Sequence, residues 1–336
     1  MKFVALLTLV VGFVNSLEFD QEKSSLALSI GDKDKVDLKF TLALLKDFVV
    51  VFGAECKEAG SCSKNGHPFY NAEKDGITLE NGEDVLGFKT KLAKEVKVNS
   101  GGKTSKLDVN VIVDVTHQEM KKQDFKDDAV LGLKTGKDTP FDKLVSPYES
   151  NNQYLIMVPK FKDDDKSVPE GFLGTEPKNA CNKFNLVEST SDIWTNDFNK
   201  VINDKEVTFK IAPAFEETYA ASTKGLELIG DLSLTKDAYN KLKTFNITYG
   251  GVEIEFDPQA VYKFDNNMGT YKRTIATIDN EGFDLVLPNS LLKNHCIKLV
   301  KDGDKYNVGL AERQNGVGLA AASLVALIGM FALLQF

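Results

Sequence analysis

Short runs in which apolar and polar residues alternate strictly constrain this chain more than any other feature. Val36, Leu38, Phe40 and Leu42 are interleaved with Asp37, Lys39 and Thr41. Leu107–Val111, Val207–Ile211 and Val252–Phe256 repeat the pattern. A period of two places successive side chains on opposite faces of a pleated strand, so each run reads as a half-buried β-strand. Amphipathic helical patterns are few, with Lys236–Phe245 the best short one. The expected class is all-β with short helices.

The two ends carry a different pattern. Met1-Lys2-Phe3 and the apolar run to Val14 read as a secretory signal peptide, with a small-residue cleavage point at Asn15-Ser16. A membrane helix is the competing reading, but the run is too short to span a bilayer. Val317–Phe336 contains no charged residue and is long enough as a helix to cross one hydrocarbon core. No basic cytoplasmic flank follows it, which favours a GPI signal with Asn315 or Gly316 as the attachment residue. A retained membrane helix and a soluble product are the alternatives.

Loss of Met1–Ser16 removes Lys2 and no acid, so the mature chain is one unit more negative than the formal −8. An acidic chain without a basic stripe excludes nucleic-acid binding as a leading function. Four cysteines on a secretory route imply disulfides. Cys56 and Cys62 are close enough to staple a local loop, which leaves Cys181 with Cys296. Zinc is the competing reading, but the spacing is not that of a C-x₂-C pair. Asn246-Ile247-Thr248 is a glycosylation sequon and suggests a surface loop. Lys162–Lys166 followed by Pro169 is the best linker candidate.

Several separate segments resemble the pepsin-like (A1) aspartic proteases. Cys56–Cys62 followed by Phe69-Tyr70-Asn71 is similar to the small cysteine loop of that family. Val85–Phe88 is similar to its strand after the flap, and Asp128–Leu133 resembles its DGILGL segment. Thr139–Leu144 resembles the helix start that follows. Further on, Asn179-Ala180-Cys181, Trp194–Phe198, Leu287–Cys296 and Val308–Ala311 match later family segments in order. The cysteine positions look most like those of invertebrate members, nematode ones in particular. The resemblance spans residues 24–313 and implies a bilobal fold. Its lobes would cover residues 17–165 and 166–313, between a signal peptide at 1–16 and a hydrophobic tail at 314–336.

Aspartic proteolysis needs two carboxylates about 3 Å apart sharing one proton. In the family each stands in an Asp-Thr/Ser-Gly loop. Counting back from Cys56, the first loop falls on Ala43-Leu44-Leu45, none of which can act as acid or base. A slipped alignment offers Asp47, with no following glycine; an exposed turn residue is the plainer reading. The second loop falls in Leu228–Leu234, with Asp231 or Ile229 on the catalytic position. The flap tyrosine is missing, and the flap aligns with Glu80–Asp84. The family's basic propeptide also has no counterpart before the first strand, Ser24–Ile30.

Other chemistries fare worse. His67, His117 and His295 form no H-E-x-x-H, and neither a G-x-S-x-G elbow nor a P-loop occurs. His295 reads as packing beside Cys296, and Trp194 as core. Asp127-Asp128 and Asp163–Asp165 read as solvated acids rather than metal ligands. The expectation is therefore a secreted, membrane-tethered, monomeric pseudoprotease that binds a peptide or protein and uses no cofactor. Two alternatives stand: an active endopeptidase with an Asp231–Asp47 dyad, and a structural or decoy surface glycoprotein.

Overall fold

The computed structural model describes residues 25–44, 46–58, 68–115, 127–159, 170–192, 194–202, 205–212, 220–277, 283–288 and 295–314. The signal peptide, Leu45, Cys62, His67, His117, the Lys162–Lys166 run, Asn315 and the apolar tail lie outside them. No helix among the described residues is long and apolar enough to cross a membrane.

The chain is all-β with short helices. Among the described residues the strands form a twelve-stranded sheet, a five-stranded sheet, a three-stranded sheet and a two-stranded hairpin. The alternating runs become the strands Val36–Ala43, Lys103–Val115, Lys205–Ala212 and Val252–Phe256. Leu38, Phe40 and Leu42 are buried while Asp37 and Lys39 are exposed, so the period-two pattern is spent on one core face. The expected helix Lys236–Phe245 is shorter: it covers Lys236–Tyr239, capped by Thr235 Oγ1 accepting from Ala238 N at 3.3 Å. Phe245 instead opens the strand Phe245–Tyr249, where it alternates with Ile247 and Tyr249 towards the core. The sequon asparagine, Asn246, lies on that strand rather than in a loop, with its side chain on the exposed face.

The topology contains a repeat. Ser25–Ile30 runs antiparallel to Val36–Ala43, which pairs in parallel with Ala129–Gly132. That strand is antiparallel to Val49–Phe52, which pairs in parallel with Lys103–Val115. Asn196–Ile202, Lys205–Ala212, Leu285–Pro288, Ala220–Ala221 and Ala276–Thr277 repeat the same order of neighbours and the same directions. The two sets also follow the same order along the chain.

The first set continues past Ser25–Ile30 into Glu170–Leu173, Tyr154–Val158, His295–Asp302, Lys305–Glu312 and Asn185–Glu188, so the large sheet draws on both ends of the chain. The Cys181–Cys296 disulfide pins the outer part of this sheet across a separation of 115 residues. Cys296 is fully buried against Tyr154, Ile156 and Ala311. Cys56 is also oxidised.

Helix Pro140–Val145 begins as its sequence suggests. Thr139 Oγ1 accepts from Asp142 N at 3.3 Å, and Pro140 needs no hydrogen-bond partner in the first turn. Asp142, itself buried, binds Lys301 Nζ at 2.5 Å and accepts from the Tyr306 hydroxyl at 3.3 Å. Burial, with the charge of Asp142 added, pushes the Tyr306 phenol up to about 12.

Candidate functional site

The segment expected to hold the first catalytic loop is built around a close backbone crossing. Ala43 ends its strand opposite Gly132, and its carbonyl accepts from Leu133 N at 2.9 Å and Lys46 N at 3.2 Å. Lys134 N donates to Lys46 O at 2.9 Å, and Gly132 N to Phe48 O at 2.8 Å. The loop thus lies directly over Gly132. A Cβ there would stand 2.5 Å from Lys46 O and 2.7 Å from Phe48 N, so no larger residue fits. Leu44 is buried in the main core, Ala43 is half-buried, and Asp47 is exposed.

Asp127 and Asp128 are occupied in holding this frame. Asp127 pairs with Lys39 Nζ at 3.2 Å and accepts from Thr41 Oγ1 at 2.7 Å. Asp128 Oδ2 accepts from Lys39 N at 2.9 Å, and Asp128 N donates back to Lys39 O. The repeat reproduces this bond: Asp284 Oδ2 accepts from Thr208 N at 2.8 Å, and Asp284 N returns to Thr208 O at 2.7 Å. Burial works against the Asp284 anion, but the Thr208 N–H, the Ser222 hydroxyl and Lys224 outweigh it and hold the carboxyl below its usual range.

The matching registers identify the counterpart of Ala43. Phe40 opposes Ala129 as Phe209 opposes Leu285, so Ala43 with Gly132 corresponds to Ala212 with Pro288. Asp231, expected in the second loop, instead follows the helix Thr223–Ile229 and its Gly230 cap. It is exposed, and its main-chain oxygen accepts from the Tyr262 hydroxyl at 2.8 Å. Neither a carboxylate nor a Thr-Gly pair stands at Ala212, and its match to Ala43 rests on the strand partners alone.

The hairpin near the first loop also differs from expectation. Glu80–Asn81 is a strand paired with Lys91 and Leu92, and the turn falls at Val85–Phe88 rather than at Glu80–Asp84. Val85 N–Phe88 O is 3.0 Å and Phe88 N–Val85 O is 2.9 Å, with Leu86 at φ 54° and Gly87 at φ 78°. Two positive φ values match the twist of a two-residue hairpin turn, but a leucine there is strained.

Beneath this turn lies an apolar cluster separate from the main core. Val50, Phe52, Cys56, Phe88, Ile112 and Val130 are buried, and Ala43, Phe48, Phe69, Val85 and Leu86 pack half-buried against them. The cluster offers apolar surface, which suits a hydrophobic contact.

Compared with protein-family models the chain matches none, and it matches no curated protein.

The remaining expected residues fall at structural positions. Trp194 is fully buried between Phe141 and Tyr306, at ring-centroid distances of 4.9 and 5.8 Å. His295 is paired across strands with Glu312 beside the disulfide, and burial lowers its pKa against the opposing pull of the Glu253 carbonyl and Glu312. No cluster of three or more metal-ligating side chains occurs among the described residues.

Proposed function

We propose that this chain is a pepsin-fold pseudoprotease, secreted and tethered to the membrane, that binds a peptide or protein without cleaving it. The observation that carries the reading is the repeated strand register, which ends in alanine both times, at Ala43 and at Ala212. A pepsin-like dyad needs its carboxylates facing each other from two such related strand ends. The repeat, the all-β class and the loop crossing over Gly132 support a bilobal pepsin-like architecture. The exposure of both Asp47 and Asp231 argues against a substitute dyad, since sharing one proton requires two acids enclosed together.

The binding surface on this reading is the apolar cluster flanked by Ala43, Phe48, Val85 and Leu86. Replacing a carboxylate by a methyl group lowers the cost of burying an apolar ligand there. The secretory route, the GPI anchor at Asn315 and the glycan on Asn246 belong to the same proposal. So does a cell-surface location.

Calorimetric titration of the full chain with apolar peptides, beside a proteolysis assay across acid pH, tests it. Peptide binding without cleavage is expected. Pepstatin-sensitive cleavage that Asp231→Asn abolishes would instead establish the dyad. Absence of both binding and cleavage would leave a structural or decoy glycoprotein.

A further inference from the structure

The hairpin formed by Tyr262–Asp265 and Thr270–Arg273 sets two lysines directly opposite each other, Lys263 against Lys272. Like charges in that position repel and destabilise a strand pair. Among the described residues neither lysine forms an ion pair, and nor does the neighbouring Arg273. All three line one open depression of about 510 Å³. Arg273 spends Nη1 on Gly230 O at 2.6 Å, while its Nε is buried without a hydrogen-bond partner. Asp265 also lines the depression, but its Oδ1 closes the turn by accepting from Asn267 N at 2.9 Å and Met268 N at 3.3 Å. Lys263 and Lys272 thus share one face of the hairpin with no acid paired to either, whereas Arg273 turns to the opposite face, towards Gly230.

The same hairpin exposes large apolar groups. Phe264 is 51 % and Met268 71 % exposed. Phe264 stands edge-on to Tyr271 at 5.1 Å, and Tyr271 stacks on Tyr239 at 3.8 Å, so a rigid aromatic base holds the tip outward. Cations beside exposed aromatic and thioether side chains match the boundary layer of an anionic bilayer, where phosphates and acyl chains lie within a few ångströms of each other.

We propose that this hairpin docks tip-first on an anionic lipid surface, with headgroup phosphates at Lys263 and Lys272 and with Phe264 and Met268 in the interfacial layer. The contact is independent of the pseudoprotease reading and of any anchor at the C-terminus.

The test is co-sedimentation of the full chain with vesicles of phosphatidylcholine alone and of phosphatidylcholine mixed with phosphatidylserine. The apolar tail is common to every variant, so differences between variants report the hairpin. Each cation near an anionic surface adds about fivefold in affinity, so two give a preference of about twenty-five-fold that salt weakens. Lys263→Gln/Lys272→Gln should cut that preference at least tenfold. Phe264→Ser/Met268→Ser should weaken binding to anionic vesicles while leaving the salt dependence in place. Both pairs are exposed, and unchanged thermal unfolding verifies that the variants fold. An undiminished preference in the lysine variant would overturn the proposal. So would saturable binding of inorganic phosphate at this hairpin without a preference for anionic vesicles, which would identify a free-anion site.

Discussion

The indole N–H of Trp194 donates to the carbonyl oxygen of Leu133 at 2.6 Å. Leu133 is also the residue whose N–H reaches Ala43 O, so the tryptophan stands one hydrogen bond removed from the loop over Gly132. Lys134 with Asp192, at 2.7 Å, and Thr135 N with Asp192 O, at 2.8 Å, dock the adjoining segment onto the same stretch. Trp194→Phe keeps most of the apolar contact but leaves a buried carbonyl unpaired, at a cost of about 1–3 kcal/mol. Urea unfolding measures this; a midpoint equal to that of the parent protein would show that the bond contributes nothing.

Asp75 ties together two segments far apart in the chain. Its carboxylate accepts from the main-chain N–H groups of Asp32, Lys33 and Asp34 at 2.8–3.1 Å and from the Tyr70 hydroxyl at 3.1 Å. Burial opposes the anion, yet these four donors prevail and hold the carboxyl below its usual range. A depressed folded-state pKa contributes stability above the unfolded value of about 3.9, and that stability is lost as pH falls through the folded one. Asp75→Asn is expected to lower stability at neutral pH by about 1.5–3 kcal/mol. It should also flatten the acid limb of a stability–pH curve, and an unaltered limb would assign that limb to other carboxylates.

Gly132→Ala should be among the most damaging single-methyl additions, because the clash is with backbone rather than with a mobile side chain. A cost of about 1–3 kcal/mol or more is expected, read as a lowered thermal midpoint. A fall of less than a degree would mean that the loop from Ala43 to Phe48 can lift away.

Leu86 separates folding from binding. Asparagine tolerates the positive φ of 54° better than leucine, so Leu86→Asn should leave stability level or raise it by a few tenths of a kcal/mol. The same change removes an apolar side chain from the proposed peptide surface and should weaken apolar-peptide binding severalfold. Equal binding by both proteins would exclude the hairpin turn from the contact.

The Cys181–Cys296 bridge closes a long loop and fixes the outer strands of the large sheet. Cys181→Ser/Cys296→Ser is expected to cost about 2–5 kcal/mol. Guanidinium unfolding of the double variant, beside the parent in the absence of reductant, checks this.

The alternating strands and the helix start at Thr139-Pro140 are legible in the chain, because each depends on neighbours only a few residues away, whereas Trp194 is buried by the distant Phe141 and Tyr306. The hairpin turn lies a few residues beyond the segment that the sequence suggests. Leu86 is not a residue that announces a positive φ, and Glu80–Asp84 has the polar look of a turn. Lys236–Phe245 resembles one helix in sequence for a related reason: Phe245 belongs to a strand that only pairing with Val252–Phe256 makes decisive.

What the sequence by itself determined was the class of structure, through apolar residues spaced to fill one face of a pleat, and the absence of the Asp-Thr-Gly loops of a pepsin-like dyad. What only the tertiary structure decided was which residues correspond. Ala43 meets Gly132, and Ala212 meets Pro288, across separations for which the local chain carries no code. Strand register is set by whole faces packing against a shared core, so which strand ends match emerges only once the partners are known.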